Sequence, residues 1–351
     1  MDLDDVRQMR AIDQSNMLGE IETLPDQLEK AWKIAEKYSL PTTKSPVGIT
    51  IAGMGGSAIG GDMLAAYAYD LCEVPISVVR GYSLPKWIGG KDQLVICSSH
   101  SGNTEETLSI FEQAVQRGCT TMAVSKGGEL KRLAEKHHCP FWLFEHKGQP
   151  RSAVGFSFGM LLHLISRMKL IPEQDKCVES AVEAMRRVIS EIDVHIPVTK
   201  NQAKRIAGQA YERQAVIVGA EHLEPIARRW KTQINEMAKG WAAFEFMPEA
   251  NHNTLAGLEY PESVLSKIYA LFLHSKGYHS RNQKRFMLTF EQFMVAGLCT
   301  DLIEFDEQDK ISEMWRMLVL GDFVSFYLAM LYEVDPTPID SLEEFKKDMR
   351  S

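Results

Sequence analysis

Two short segments carry residue types that grip anions. Gly53-Met54-Gly55-Gly56-Ser57-Ala58-Ile59-Gly60-Gly61-Asp62 follows an apolar run and opens a helical pattern. Free backbone N–H groups and a helix N-terminus there would face a ligand, and the glycines let it approach the chain. Ser98-Ser99-His100-Ser101-Gly102-Asn103-Thr104 stands after a later apolar run, with Glu105 and Glu106 in the helical turn that follows. Its hydroxyls can donate to phosphate oxygens beside free amides. Capping of the helix by Thr104 needs one hydroxyl, and this loop offers several. A compact phosphate held with little positive charge suits a small sugar phosphate better than a nucleotide.

The first loop also fits GxGxxA, the relaxed dinucleotide fingerprint. That reading requires an acidic residue at the end of the next strand to hold the ribose hydroxyls. Here the strand ends in Arg80, which tolerates an NADP phosphate, so the rival reading is weakened. A nicotinamide enzyme also has no use for the second, hydroxyl-rich loop.

The elements that position these loops alternate between strand and helix. Val47–Ala52, Pro75–Arg80, Gln93–Cys97, Thr120–Val124 and Pro140–Phe144 read as strands, with helices over Ala58–Tyr69 and Glu105–Gln116. Such alternation calls for a parallel sheet covered on both faces. Residues 1–45 read as helical, with a helix start at Leu24-Pro25-Asp26. A long helical region follows Pro150-Arg151-Ser152-Ala153 as far as Ile192. Near Pro197 the pattern restarts. Gln214–Gly219 repeats the apolar run and glycine of Ile49–Gly53, and a helix over Glu224–Ala238 follows. Further strands are expected at Met287–Phe290 and Asp301–Phe305, with Val264–Leu273 ambiguous between strand and helix and Ile311–Tyr332 a long apolar helix. The expected organisation is α/β: a helical segment over 1–45, one domain over 46–195 and a degenerate repeat of it over 196–351.

Composition narrows the function classes. The chain has 351 residues, enough for two domains, with 45% apolar and 25% charged residues. A net charge of −8 argues against a nucleic-acid partner. The opening MDLDDVRQMRAIDQS has neither the basic start nor the apolar run of a secretory signal. The longest apolar stretch, Val154–Ile165, is interrupted by Ser157 and His163 and reads as a buried helix rather than a membrane span. A cytoplasmic location is expected. The six cysteines are scattered without a CxxC pair, as free thiols in a reducing compartment would be. Adjacent His137 and His138 cannot share one helix face and read as surface residues.

Both loops together resemble the SIS (sugar isomerase) family, and the whole chain resembles the bifunctional phosphoglucose/phosphomannose isomerases with two SIS domains. The segments that carry the resemblance are GMGGSAIGGD, SSHSGNTEET, Pro150-Arg151-Ser152-Ala153, WKTQINEMAKGWAAFEFMPEANHN and GDFVSFYLAMLYEVDPTPID. The resemblance implies two flavodoxin-like SIS domains, each a parallel sheet flanked by helices, and a homodimer acting on sugar phosphates without cofactor or metal. It places Gly55, Gly56, Ser57, Ser99, Ser101 and Thr104 at the phosphate and Arg151 near the reacting carbons. Glu236 in INEMAK becomes the base, and His252 in EANHN assists ring opening. A C-terminal lysine is also implicated, with Lys346 or equally Lys347 in its place, and Thr337 would sense the carbon 2 substituent. Two positions depart from the family pattern. His100 stands where a tyrosine is common, with little effect expected, and Met237 replaces an asparagine after the glutamate.

The chemistry implied is an aldose–ketose exchange. A carboxylate beside carbons 1 and 2, shielded from water, can carry the proton between them through an enediolate. Burial would raise its pKa toward neutrality. A histidine titrates in the range needed to open the ring, and Arg151 could stabilise the enediolate oxygen. Glucose and mannose 6-phosphates differ only at carbon 2 and share that intermediate, so one base can serve both. The contrasting expectation is a non-catalytic SIS protein that only binds the sugar phosphate. Such sensors usually add a DNA-binding module, and residues 1–45 contain no basic recognition helix.

Overall fold

The computed structural model describes residues 1–349. The chain divides into two compact units, Thr23–Glu183 and a second that joins Met1–Glu22 to the chain from Ala184 onward. These divisions fall elsewhere than the boundaries at 45 and 195 drawn from the sequence. Strand onset is a local signal, whereas the first helices are assigned by the apolar surface they cover. Helix Met17–Glu22 buries Met17 and Ile21 and packs on helix Lys310–Leu331.

In the unit Thr23–Glu183, strands β1 (Gly48–Ala52), β2 (Ile76–Val79), β3 (Gln93–Ser99), β4 (Thr120–Ser125) and β5 (Phe141–Leu143) form one sheet in the order β2-β1-β3-β4-β5. Every pairing is parallel. β1 is buried along its whole length, which is why it reads as a continuous apolar run instead of an alternating one. Val95, Cys97, Phe111, Ala123 and Leu130 belong to one core cluster of this unit, and each fully buried large apolar side chain contributes roughly 1.5–3 kcal/mol. From β1 the chain steps to β2 on one side and later to β3 on the other. The crevice beyond the strand ends at such a reversal is where open α/β sheets bind ligands. The glycine loop after β1 and the hydroxyl loop after β3 both leave from it.

The second unit contains β6 (Gln214–Ala220), β7 (Ala242–Met247), β8 (Ile268–His274) and β9 (Cys299–Glu304), parallel in the order β7-β6-β8-β9. The structure corrects or refines four expectations. Met287–Phe290 is no strand; it lies inside helix Ser280–Val295. Buried Phe286, Thr289 and Phe293 recur there at helical spacing, and Phe286, Phe290 and Phe293 each meet Phe272 of β8 edge-on. Val264–Leu273 is two elements, a short helix Glu262–Leu265 and then β8. The longest apolar helix is Lys310–Leu331, not Val154–Ile165, and by length and composition it is the one helix among the described residues able to cross a membrane. Its residues from Ile311 to Met330 are buried at all positions but one, and its Asp322 forms a two-point ion pair with Arg229, both side chains 1% exposed. Those are the marks of a core helix. The helical region ending at Ile192 is two helices, Val154–Arg167 and Asp175–Ile192.

Candidate active site

The glycine loop is shaped by close backbone approach. Gly55 has φ 51, a left-handed turn that glycine adopts without strain, and it opens helix Gly55–Tyr67. A Cβ on Gly56 would stand 2.7 Å from the carbonyl oxygen of Pro150, and one on Gly53 2.9 Å from that of Ser98. Glycine at these positions therefore lets three segments meet: residues 53–57, the hydroxyl loop after β3, and the 3-10 turn Pro150–Ser152. Ser157 ties the arrangement from below, its hydroxyl donating to the Gly56 carbonyl at 3.2 Å. Ser57 is buried, and Arg151 is 5% exposed within its turn.

The hydroxyl loop is organised by its own serines. The Ser99 and Thr104 hydroxyls lie 2.9 Å apart, the Gly102 N–H donates to Ser99 Oγ at 3.1 Å, and the Asn103 N–H donates to Ser101 Oγ at 3.1 Å. Thr104 stands at the N-cap of helix Glu105–Gln116 but makes no side-chain capping bond, so its hydroxyl is not spent on the helix. Asn103 faces the other way, accepting the Glu129 N–H at 2.9 Å on helix Gly128–Lys136. Gly102, with φ 72, fits only because it lacks a side chain: a Cβ would fall 1.9 Å from the Gly127 carbonyl oxygen. Gly55, Gly56, Ser57, Ser99, Ser101, Thr104 and Arg151 thus come from three segments of one unit that approach one another at the sheet reversal.

Arg80 is engaged elsewhere. Its guanidinium makes a two-point contact with Asp62 on helix Gly55–Tyr67. A ribose 2′-phosphate would have to break that pair, which weighs further against the nicotinamide reading.

The second unit repeats the turn with different residues. Ala52 pairs with Cys97 across β1 and β3, and Val218 pairs with Phe272 across β6 and β8, so Gly219 corresponds to Gly53 and Glu221 to Gly55. Glu221 keeps the left-handed backbone, φ 47. Its carboxylate accepts the His279 N–H at 2.9 Å and the Asn282 side-chain N–H at 2.7 Å at the start of helix Ser280–Val295. In the second unit an internal carboxylate therefore occupies this turn.

The chain is similar to known proteins along most of its length. Residues 199–349 match the family model described as the bacterial phospho-glucose isomerase C-terminal SIS domain. The bifunctional phosphoglucose/phosphomannose isomerase of Caldicellulosiruptor bescii is 35% identical over 337 residues, 95% of this chain and 98% of that one. Its counterpart in Aquifex aeolicus is 31% identical over 304 residues, 86% of this chain and 90% of that one. The chain belongs to the bifunctional phosphoglucose/phosphomannose isomerase family. Among solved structures, a hypothetical protein from Thermus thermophilus shares the fold with a TM-score of 0.74 at 15% identity, covering 98% of this chain and 93% of that one.

The remaining residues that the phosphoglucose/phosphomannose isomerase pattern singles out lie in the second unit. Glu236 is half-buried in the last turn of helix Glu224–Met237, while Met237 beside it is buried in the core. Two residues beyond the helix, the Lys239 ammonium donates to the carbonyls of Glu236 at 2.9 Å, Met237 at 3.2 Å and Asp335 at 2.9 Å. Asp335 in turn accepts the Thr337 N–H at 2.9 Å, and Thr337 is buried. Glu236 and Thr337 are therefore brought to one locality by a lysine that motif reading passed over, although it stands in the same INEMAK segment. His252 ends an exposed 3-10 turn, Glu249–His252, after β7. The flanking asparagines anchor the turn, Asn251 to Thr289 and Asn253 to Thr254. Lys346 and Lys347 are both exposed on helix Asp340–Asp348.

Proposed function

We propose that this chain interconverts glucose 6-phosphate and mannose 6-phosphate with fructose 6-phosphate through an enediolate, using no metal or cofactor. The observation that carries the reading is the convergence of the Gly55–Ser57 turn, the Ser99–Thr104 loop and the Arg151 turn in one crevice. Membership of the family supplies the substrate class. Gly55, Gly56, Ser57, Ser99, Ser101 and Thr104 hold the phosphate through amides and hydroxyls. His252 moves a proton between ring oxygen and hydroxyl to open the ring. Glu236 takes the proton from carbon 2, leaving an enediolate whose charge Arg151 stabilises, and returns it to carbon 1 as the hydroxyl proton passes from oxygen 2 to oxygen 1. Protonation of the same intermediate on either face of carbon 2 gives the two aldoses, with Thr337 reading that substituent and Lys346 assisting. The enzyme works as a cytoplasmic homodimer and serves glycolysis and gluconeogenesis. A purely sugar-binding SIS protein has no need of a base on the Glu224–Met237 helix.

A coupled assay that follows both aldose phosphates from fructose 6-phosphate, with and without EDTA, tests the proposal. Both products should appear at rates unaffected by chelation. Activity that depends on added divalent metal, or binding without turnover, would overturn it.

A further inference from the structure

His100, between the two serines of the hydroxyl loop, does not point idly into the core. It is 9% exposed, and its Nε2 lies 3.0 Å from Nδ1 of His146. His146 belongs to the segment that runs from β5 to the Arg151 turn. The two rings meet edge to face at 5.3 Å. Around them, Phe144 contacts the His100 ring at 5.9 Å, Phe156 contacts the His146 ring at 5.9 Å, and Phe144 stacks on Phe156 at 5.2 Å. Phe156 lies in the first turn of helix Val154–Arg167, directly after the Arg151 turn. The His100 carbonyl accepts the Lys126 N–H at 3.2 Å, closing the other side of the loop onto the end of β4.

A hydrogen bond between two imidazoles needs one protonated and one bare nitrogen facing each other. Burial pushes His100 from 6.5 down to about 4, helped by the nearby charge of Lys126 and by His146 itself. The ring is therefore neutral at physiological pH. The bond is part-buried among the phenylalanine rings, which makes it directional and costly to leave unmade. Its effect is geometric. It joins the loop that bears Ser99, Ser101 and Thr104 to the chain that bears Arg151.

We propose that His146, acting through His100, is a positioning residue that holds the phosphate-gripping hydroxyl loop in register with the Arg151 turn. The proposal rests on the assignment of Ser99, Ser101 and Thr104 to the substrate phosphate. It departs from the expectation that a histidine in place of the common tyrosine has little effect.

The test is a set of variants assayed with fructose 6-phosphate and, separately, for affinity toward inorganic phosphate. His146→Ala should raise KM and the phosphate Kd about tenfold while kcat changes less than threefold. His146→Asn places an amide near the original Nδ1 and should restore most of both; His146→Gln places it near Nε2 and should not. In a His100→Phe background, His146→Ala should add little, because the connection is already cut. Unchanged KM in His146→Ala, equal behaviour of the Asn and Gln variants, or full additivity with His100→Phe would each overturn the proposal. Should His146→Ala fold poorly, the Asn and Gln comparison decides alone. The phosphate titration keeps the two readings separable: a wild-type protein without isomerase activity removes the proposed function, whereas phosphate affinity insensitive to His146 removes the positioning role.

Discussion

Gly102→Ala tests the site architecture with a magnitude that can be worked out in advance. Two penalties act there. The backbone is left-handed, φ 72, which costs a residue with a Cβ roughly 1–2 kcal/mol. The new methyl would also begin 1.9 Å from the Gly127 carbonyl oxygen, so one of the two loops must retreat by more than an ångström, and overpacking of this kind costs about 1–3 kcal/mol. Gly118 isolates the first penalty, since it has φ 67 and nothing within 4 Å of a Cβ. Gly208 carries neither; it lies inside helix Gln202–Ala210 with open space around it, and alanine there should stabilise by about 0.5–1 kcal/mol. Calorimetry should therefore rank Gly208→Ala above wild type, Gly118→Ala about 1–2 kcal/mol below it, and Gly102→Ala about 2–5 kcal/mol below. Activity adds a second axis. Moving the hydroxyl loop by an ångström should cut kcat/KM by about a hundredfold in Gly102→Ala and leave the other two near wild type. If Gly102→Ala matches Gly118→Ala in both melting temperature and kcat/KM, the packing of the loop against Gly127 has been misread.

Other outcomes follow from the same contacts. His100 refuses a proton that the unfolded chain accepts, so between about pH 6.5 and 4 its contribution makes stability fall as the solution is acidified. The loss totals at most about 3 kcal/mol and is absent above pH 6.5. Denaturant titrations of wild type and His100→Phe across that range should diverge in slope; parallel curves would contradict the assignment. Asp322→Ala strands the buried Arg229 guanidinium and should cost about 3–5 kcal/mol, while the paired change Arg229→Met with Asp322→Leu should recover most of it. Equal instability of the single and double variants would show that packing volume, not an orphaned charge, governs the site.

Much of this structure is readable from the residues, and the misses have physical causes. The strand-and-glycine pattern at Ile49–Gly53 and the apolar run of Gln93–Cys97 announce themselves because buried parallel strands need apolar side chains on both faces. β7, Ala242–Met247, is not legible as a strand because most of its residues are only half-buried and Glu245 interrupts its apolar character. Met287–Phe290 is ambiguous because a run of four largely apolar residues looks alike in strand and helix; the helical spacing of Phe286, Thr289 and Phe293 is the better signal. The packing of Met17 and Ile21 on a helix three hundred residues away leaves no local trace. At the site, the glycine and hydroxyl types of the two loops are legible in the sequence, but the bond from His100 to His146 and the three carbonyls held by Lys239 depend on tertiary contacts that no spacing encodes.

The central claim is that Glu236 carries a proton between carbons 1 and 2 of a sugar phosphate held by these loops. Proton NMR of fructose 6-phosphate incubated with the protein in D2O and EDTA addresses it directly. The account predicts partial deuterium at carbon 2 of both glucose and mannose 6-phosphates, entering when the proton on Glu236 exchanges with solvent before its return, with turnover falling about a thousandfold or more in Glu236→Gln while inorganic phosphate still binds. Undiminished turnover and exchange in Glu236→Gln would contradict it.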